Sequence, residues 1–241
     1  MRELMNPATL TDSIFGAVAD PSRPLLTYYD DRTGERTELS GATLGNWAAK
    51  TANFLADEMG VGPGDTVRVD LPEHWQTAGI LLGAWWSGAH VRLGTGDGPD
   101  DRVVFASVGG IDDHPDADEL VVASLDAFAL PLRDLPPGVA DFGSAVRIHG
   151  DGFTSRPYAG AVLEDTDAPT IAQQAAAVAS AAGIGAAARV LSTREWHTRD
   201  GVIANLLAPW LAGAGLVHVA GADASSLPGR AETEKATIIL S

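Results

Sequence analysis

Apolar side chains recur with two different periods along this sequence, and the two periods alternate. Over residues 40–60, apolar residues return at spacings of three and four, which places them on one face of a helix. Ser40 precedes this face and is suited to accept a free N–H of the first helical turn. Residues 66–71 instead alternate every second position, as in a strand with one covered face. Residues 73–87 return to the helical period, and residues 90–93 to the strand.

The alternation of strands and helices continues to the end of the chain. Further strands are predicted at 102–107, 119–123, 189–192, 215–219 and 236–240. Further helices are predicted within 124–138 and at 141–149, 170–182, 201–212 and 222–234. Because such alternation is typical of parallel sheets covered by helices, the pattern predicts an α/β fold. Residues 150–169, rich in Gly and Pro, carry no sustained period and predict a loop, which separates a sublobe 1–155 from a smaller sublobe 156–241.

Charge narrows the range of partners. The 241 residues include 16 Lys and Arg against 32 Asp and Glu, a formal net charge of -16. Such a surface repels phosphates, so binding to nucleic acid or to an anionic membrane is disfavoured. The absence of Cys excludes a disulfide framework and a thiolate nucleophile. No signal peptide is recognisable and the longest apolar stretch is too short to span a bilayer, so a cytoplasmic protein is expected.

Four stretches of the sequence match one enzyme family in their order and spacing. They are Val61-Gly-Pro-Gly-Asp65, Trp86-Ser-Gly-Ala-His-Val91, Arg189-Val-Leu-Ser-Thr193 and Leu206-Leu-Ala-Pro-Trp-Leu-Ala-Gly-Ala214. Together they resemble strands and helices of the adenylate-forming (AMP-binding, acyl-CoA-synthetase-like) enzymes. The resemblance spans nearly all of this chain and about the first half of a typical family member. It implies two flavodoxin-like sublobes with largely parallel sheets, as in the N-terminal domain of those enzymes.

The resemblance weakens at the parts that hold ATP. The family's phosphate loop, rich in Ser, Thr and Gly and ending in Pro-Lys-Gly, is expected just before residue 170. Phe153-Thr-Ser-Arg-Pro-Tyr158 stands there, either as a stripped loop with Tyr158 at the Lys position or as a chance similarity. The family's ribose-binding Asp and C-terminal lysine lobe are expected beyond Ser241. No catalytic residue or metal ligand is therefore assigned. No cofactor is assigned either: ATP or AMP is conceivable, but the phosphate loop is missing.

Two loops carry groups that bind ligands in other proteins. Residues 94–98 (Gly-Thr-Gly-Asp-Gly) follow a strand as a phosphate loop would, but they lack Lys and are interpreted as a tight turn with positive φ at Gly. A second loop offers ligands for a divalent cation through Asp112, Asp113, His114, Asp116 and Asp118. Their spacing does not match an EF-hand, and a solvated loop is the favoured interpretation.

The best candidate for ligand binding is the turn Glu195-Trp196-His197. It follows a predicted strand and precedes a helix, at the carboxyl end of the sheet where α/β proteins collect their sites. In the resembling enzymes this turn carries an aromatic residue, and often His, near the acyl and adenine pocket. The imidazole of His197 could serve as acid or base, but no second catalytic group can be named. The alternative is that Trp196 packs between the lobes and His197 is solvated.

These observations favour a non-catalytic relative of the adenylate-forming enzymes that binds a small molecule or a protein partner. One alternative is a ligase component that needs a partner for ATP binding. Another is a structural or oligomerisation module, including a homo-oligomer. Trp85 and Trp86 are neighbours on one helix and cannot both face the core, so an exposed one would favour an interface.

Overall fold

The strands form two separate sheets in the computed structural model, which describes residues 8–96, 98 and 100–241. The strands are β1 (Pro24–Asp30), β2 (Glu35–Ser40), β3 (Thr66–Asp70), β4 (His90–Leu93), β5 (Asp101–Ser107), β6 (Leu120–Ala123), β7 (Val139–Asp141), β8 (Ala161–Leu163), β9 (Thr166–Asp167), β10 (Arg189–Ser192), β11 (Gly215–Ala220) and β12 (Ile238–Leu240). The helices are α1 (Leu10–Ala17), α2 (Gly41–Asp57), α3 (Trp75–Ser87), α4 (Phe142–Arg147), α5 (Ala168–Ala181), α6 (Arg199–Gly201), α7 (Ala208–Leu211) and α8 (Leu227–Thr233). A 3₁₀ turn, Val108–Asp113, follows β5, and a π-helical segment, Val202–Leu207, joins α6 to α7.

Both sheets are largely parallel, which confirms the α/β fold predicted from the sequence. The small sheet has the strand order β12-β10-β11-β1-β2, and the large sheet has the order β7-β6-β5-β3-β4-β8-β9. Only β2 and β9, at one end of each sheet, run antiparallel to their described neighbours. Parallel pairing of β3 with β4 and with β5 brings the carboxyl ends of these three strands to one common edge.

The sheets draw strands from both predicted sublobes. The hairpin of β1 and β2 lies in the first 40 residues, yet β1 pairs in parallel with β11 of the small sheet. Conversely, β8 lies after residue 155 and pairs with β4 of the large sheet. The sheets therefore do not follow the division into residues 1–155 and 156–241, because pairing partners far apart in sequence complete each sheet.

The first predicted helix forms as its local sequence dictates. The Ser40 hydroxyl accepts the Thr43 N–H at 3.1 Å and caps α2. The buried face of α2 is the predicted apolar stripe, which includes Leu44, Phe54 and Leu55. Helix α3 packs against it and is buried on nearly all sides, so its periodicity contributes less than its overall hydrophobicity.

Three predicted elements differ from the structure. Residues 124–138 form no helix, and Leu125, Ala129 and Asp134 take positive φ there, which breaks a helical path. The predicted loop 150–169 carries β8 and β9, and α5 begins inside it because the Asp167 carboxylate accepts the Thr170 N–H. The helix predicted at 201–212 widens into the π-helical segment ahead of Pro209, whose ring cannot continue a regular α-helical ladder.

The two adjacent tryptophans divide as expected between core and surface. Trp85 is buried and its indole N–H donates to the Val162 carbonyl at 3.0 Å. Trp86 is half-buried, and its indole N–H donates to Asp12 and to Ser155. Trp86 is thus covered by the chain's own segments and gives no support to an interface at this point. Across the described part of the chain, no helix combines the length and the apolar character needed to cross a bilayer.

Candidate functional site

A cavity of about 580 Å³ opens where the carboxyl edge of the large sheet meets the turn after β10. The strands β3, β4 and β5 contribute their last residues, and the turn contributes Trp196 and His197. The lining residues are Val69, Asp70, Leu71, Pro72, Glu73, Thr77, Leu81, Leu93, Gly94, Thr95, Ser107, Gly109, Gly110, Asp113, Trp196 and His197. We call it the Glu73 cavity. Its position is where open α/β sheets bind ligands, and its size suits a small organic molecule.

Glu73 fixes the predicted turn in place. Its Oε1 accepts the Trp196 backbone N–H at 2.8 Å and the His197 Nδ1–H at 3.0 Å. Because a carboxylate can only accept, His197 donates from Nδ1 and its Nε2 is left for another partner. Burial acts to raise the pKa of Glu73, but hydrogen bonds from its own N–H, from Trp196 and from His197 outweigh burial and hold the pKa below its usual value. Glu73 is therefore ionised at neutral pH.

Trp196 links the cavity wall to the small sheet. It is only 2% exposed, and its indole N–H donates to Nδ1 of His218 on β11 at 3.1 Å. Burial lowers the pKa of His218 to about 4, so the imidazole is neutral and its Nδ1 is free to accept. Trp196 thus packs between the two sheets, which is the alternative interpretation given to it above.

The three predicted ligand-binding residues do not share one surface. His197 is half exposed and, with Trp196, lines the Glu73 cavity. Glu195 is 77% exposed and instead lines a neighbouring cavity of about 360 Å³, together with Arg32, Thr193 and His218. Glu73 borders both cavities. The turn itself is held from the other side by Asn205, whose side-chain amide donates to the Glu195 carbonyl at 2.7 Å.

The acidic loop predicted to be solvated is only partly so. His114 is 5% exposed, and its Nε2 lies 3.0 Å from Oδ2 of Asp70 at the end of β3. Asp113 lies at the cavity wall, whereas Asp112, Asp116 and Asp118 are exposed. Within the described residues, no group of three or more His, Asp or Glu side chains is arranged to hold a metal ion.

The glycine turn after β4 belongs to the same wall. Gly94 takes a positive φ of 73°, as a tight turn requires, and it lines the cavity. Its carbonyl accepts from Arg68, which is paired with Asp101 of β5 at 2.5 Å. The Arg68 guanidinium is therefore paired within the sheet by Asp101. Asp97 of the predicted turn lies outside the described residues.

The segment compared with the phosphate loop lies at the other edge of the large sheet. The Arg156 N–H donates to the Trp86 carbonyl at the end of α3, and Tyr158 lies against Gly64, just before β3. The carboxyl ends of β3 and β4, where the Glu73 cavity opens, are at the opposite edge. Tyr158 therefore does not occupy a position facing the cavity.

Sequence reasoning passed over Glu73, Asp70 and His218. Asp70 ends β3 and Glu73 follows three residues later, and charged residues at the carboxyl end of a strand are the available signal. His218 lies inside β11, among apolar residues, and nothing local distinguishes it from a core residue.

Solved structures of similar fold are acyl-CoA synthetases and CoA ligases. An acyl-CoA synthetase from Brucella canis aligns with a TM-score of 0.79 at 19% identity, over 96% of this chain and 47% of that chain. The anthranilate CoA ligase AuaEII, in complex with anthranoyl-AMP, aligns with a TM-score of 0.75 at 16% identity, over 99% of this chain and 51% of that chain. The chain thus spans about half the length of these structures. At such identities the likeness establishes the fold, that expected of the N-terminal domain of adenylate-forming enzymes.

A sequence relative carries the assignment further. No family model matches the chain. A protein of Mycobacterium tuberculosis (strain ATCC 25618 / H37Rv), called "TIGR03089 family protein", is 44% identical over 246 aligned residues, covering 98% of this chain and 100% of the relative. Identity of this extent over both chains establishes common descent. The chain belongs to the TIGR03089 family and folds like part of an acyl-CoA synthetase.

Proposed function

We propose that this protein is a non-catalytic relative of the acyl-CoA-synthetase-like enzymes that binds a small molecule in the Glu73 cavity. The observation that carries the proposal is the cavity itself, about 580 Å³ at the carboxyl edge of the large sheet. Pockets of this size are typical of small-molecule sites. A turn fixed by Glu73 and Asn205 supplies Trp196 and His197 to its wall, so the site is formed before a ligand arrives.

The charges on the cavity wall argue against adenylation. Transfer of an acid to the α-phosphate of ATP needs backbone N–H groups and cations around the triphosphate. The described lining residues include Asp70, Glu73 and Asp113 but no Lys or Arg. The nearby Arg68 is committed to Asp101. A triphosphate placed here would meet carboxylates of its own sign, so we expect no ATP-dependent activity from this chain alone.

A ligase component remains the second candidate, because the fold matches about half the length of solved CoA ligases. In that case a partner would supply the groups that hold ATP. The two candidates differ in what the purified chain binds, since a component retaining its share of a nucleotide site would keep some affinity for AMP.

Calorimetric titration with Mg-ATP and with AMP separates these candidates. We expect no heat of binding for either nucleotide. Micromolar affinity for AMP or ATP would contradict the non-catalytic proposal and place the ligase component first. Turnover of ATP to AMP and pyrophosphate with any carboxylic acid would have the same consequence.

Blocking the cavity tests the binding proposal directly. The readout is the NMR signal of the Trp196 indole N–H during a screen of small organic probes. Gly109 lines the cavity, and a Cβ added there meets only Ser107 Oγ at 4.0 Å, so Gly109→Leu should fold and narrow the site. Gly152→Leu is the matched control, because a Cβ there meets nothing within 4 Å and the residue lies away from the cavity. Probes that bind the parent and the control but not Gly109→Leu support the proposal, and probes indifferent to Gly109→Leu contradict it.

A further inference from the structure

Two half-buried carboxylates on the wall of the Glu73 cavity have no Lys or Arg partner among the described residues. The side chains of Asp70 and Glu73 are 21% and 15% exposed. The side-chain partner of each is an imidazole, His114 for Asp70 and His197 for Glu73, and Glu73 also accepts the Trp196 backbone N–H. A carboxylate removed from water is costly unless a positive charge or several hydrogen bonds compensate it.

Other carboxylates of similar burial are compensated by arginine. The pairs are Asp30 with Arg32, Asp31 with Arg230, Asp101 with Arg68, and Glu234 with Arg36 and Arg189. This protein has only 16 Lys and Arg for 32 Asp and Glu, and it commits arginines to these sites. Asp70 and Glu73 at the cavity lack such an arginine, as does Glu35.

Glu35 shows what an uncompensated buried carboxyl otherwise does. Its side chain is 12% exposed, and its Oε1 lies 3.5 Å from Nε2 of His74, an imidazole whose pKa burial lowers to about 4. Burial raises the pKa of Glu35, which moves the group toward its neutral form. Glu73 is held in the opposite direction, because the Trp196 and His197 donors stabilise its charged form. The cavity therefore presents a negative charge that the fold keeps in place.

The remainder of the wall is apolar. Leu71, Leu81 and Leu93 line it beside the ring of Trp196. A ligand that matches this surface has an apolar body for the leucines and a positive group for the carboxylates. Because no described trio of His, Asp and Glu is arranged around a metal ion, a compact divalent cation does not match it.

We propose that the Glu73 cavity takes an organic cation, an ammonium group on an apolar body, with the ammonium beside Asp70 and Glu73 and the body against Leu71, Leu81 and Leu93. This inference rests on the proposed function and names its class of ligand. It predicts selection against carboxylic acids, the substrates that adenylating chemistry requires.

Three probes of matched shape test the charge preference. Phenethylamine, phenethyl alcohol and hydrocinnamate carry the same phenyl and two-carbon body with an ammonium, a hydroxyl and a carboxylate. Each is titrated into the full chain at neutral pH and constant ionic strength, and the Trp196 indole N–H signal is followed by NMR. We expect the ammonium to bind at least about tenfold more tightly than the carboxylate, with the alcohol between them.

Charge-neutral variants locate the preference. Glu73→Gln keeps an oxygen that can accept from Trp196 and His197, so the turn should persist while the preference for the ammonium falls several-fold. Asp113→Asn, at the exposed rim, should lower the preference for the ammonium less. It tests the same charge effect at an exposed position if Glu73→Gln does not fold. Asp57→Asn removes an exposed charge at the end of α2 and should leave all three affinities unchanged.

The outcomes separate the two proposals. Equal or tighter binding of hydrocinnamate overturns the cationic inference and leaves a small-molecule cavity standing. Binding of phenethylamine that is as strong in Glu73→Gln and in Asp113→Asn as in the parent protein also overturns it. If none of the three probes moves the Trp196 signal while a broader screen finds binders, the ligand class is wrong; if the broader screen finds none, both proposals fail.

Discussion

The two edges of the large sheet treat polar groups in opposite ways. At the amino edge, residues 153–158 close over the chain: Ser155 donates to Asp12 at 2.6 Å, and both oxygens accept from the Trp86 indole. At the carboxyl edge, Asp70 and Glu73 face an open cavity, and among the described residues their side-chain partners are the imidazoles of His114 and His197, with the Trp196 backbone N–H as a further donor to Glu73. Polar groups at the closed edge therefore satisfy one another, whereas the carboxylates at the open edge border the space in which we propose that a ligand binds.

The largest expected effect is a loss of folding stability in acid, caused by two buried histidines near the carboxyl edge, His74 and His218. Burial lowers the pKa of His74 and of His218 to about 4. In the unfolded chain, the two imidazoles bind a proton below roughly pH 6.5. In the folded chain, they bind it only at about pH 4. Stability from these residues is therefore complete above the unfolded pKa and is lost as pH falls, by roughly 4 kcal/mol between pH 7 and pH 5 for the pair.

Denaturant unfolding at a series of pH values measures that loss. His218→Asn offers Trp196 an acceptor in place of Nδ1 and should remove about half of the slope. An unchanged slope in this variant would contradict the lowered pKa, because it would mean that His218 titrates alike in the folded and unfolded chains.

Adding a methyl group at the amino edge, at Gly88, should lower the free energy of unfolding almost as much as acid does. Gly88 has a φ of 83°, and a Cβ there would meet the Arg156 carbonyl oxygen at 2.1 Å. We expect Gly88→Ala to lower the free energy of unfolding by about 3 kcal/mol. Gly138→Ala is the control, because Gly138 has a φ of 86° with nothing within 4 Å, so only the backbone penalty of about 1 kcal/mol applies. Equal losses in the two variants would mean that residue 156 moves aside freely.

Removing one hydrogen bond behind the cavity should cost less. Trp196→Phe keeps a ring between the sheets but leaves Nδ1 of the buried His218 without its donor. The expected loss is about 1–2 kcal/mol in denaturant unfolding. NMR of the His218 ring nitrogens provides the second readout, since Nδ1 should lose its hydrogen-bonded shift. A ring spectrum identical to that of the parent would contradict the contact.

Glu195 should contribute least. Its side chain is 77% exposed and lines the neighbouring cavity. Glu195→Gln should change the free energy of unfolding by no more than about 0.5 kcal/mol. It should also leave ligand affinity at the Glu73 cavity unchanged, which a titration of any binder can check. A marked loss of affinity would show that the two neighbouring cavities act as one binding site.

The fold was predictable where local chemistry decides. Ser40 caps α2, and the alternation at residues 66–71 gives β3, because capping and periodicity act over a few residues. No strand was predicted at residues 24–40, where β1 and β2 lie, and β1 pairs with β11, which follows nearly two hundred positions later and which no local pattern could indicate. The same limit applies to residues 153–158, whose place at the amino edge depends on contacts with α3 and α1.

The candidate site was predictable only in its location. The position of Trp196 and His197 after a strand correctly indicated the carboxyl edge, but ligand binding by Glu195, Trp196 and His197 stays a prediction. Which side chains face the cavity depends on how the turn after β10 docks on the loop after β3. Glu73 and Trp196 are 123 positions apart and meet only in the folded chain.

By itself, the sequence determined the alternating helices and strands, the acidity and the lack of thiol chemistry, since these follow from residue identity and short-range periodicity. The tertiary structure decided which strands share a sheet, that Trp196 is buried while His197 reaches a cavity, and that Glu73 keeps its charge. Those outcomes depend on burial and on hydrogen bonds between distant segments, and the chain acquires both only when its two sheets pack together.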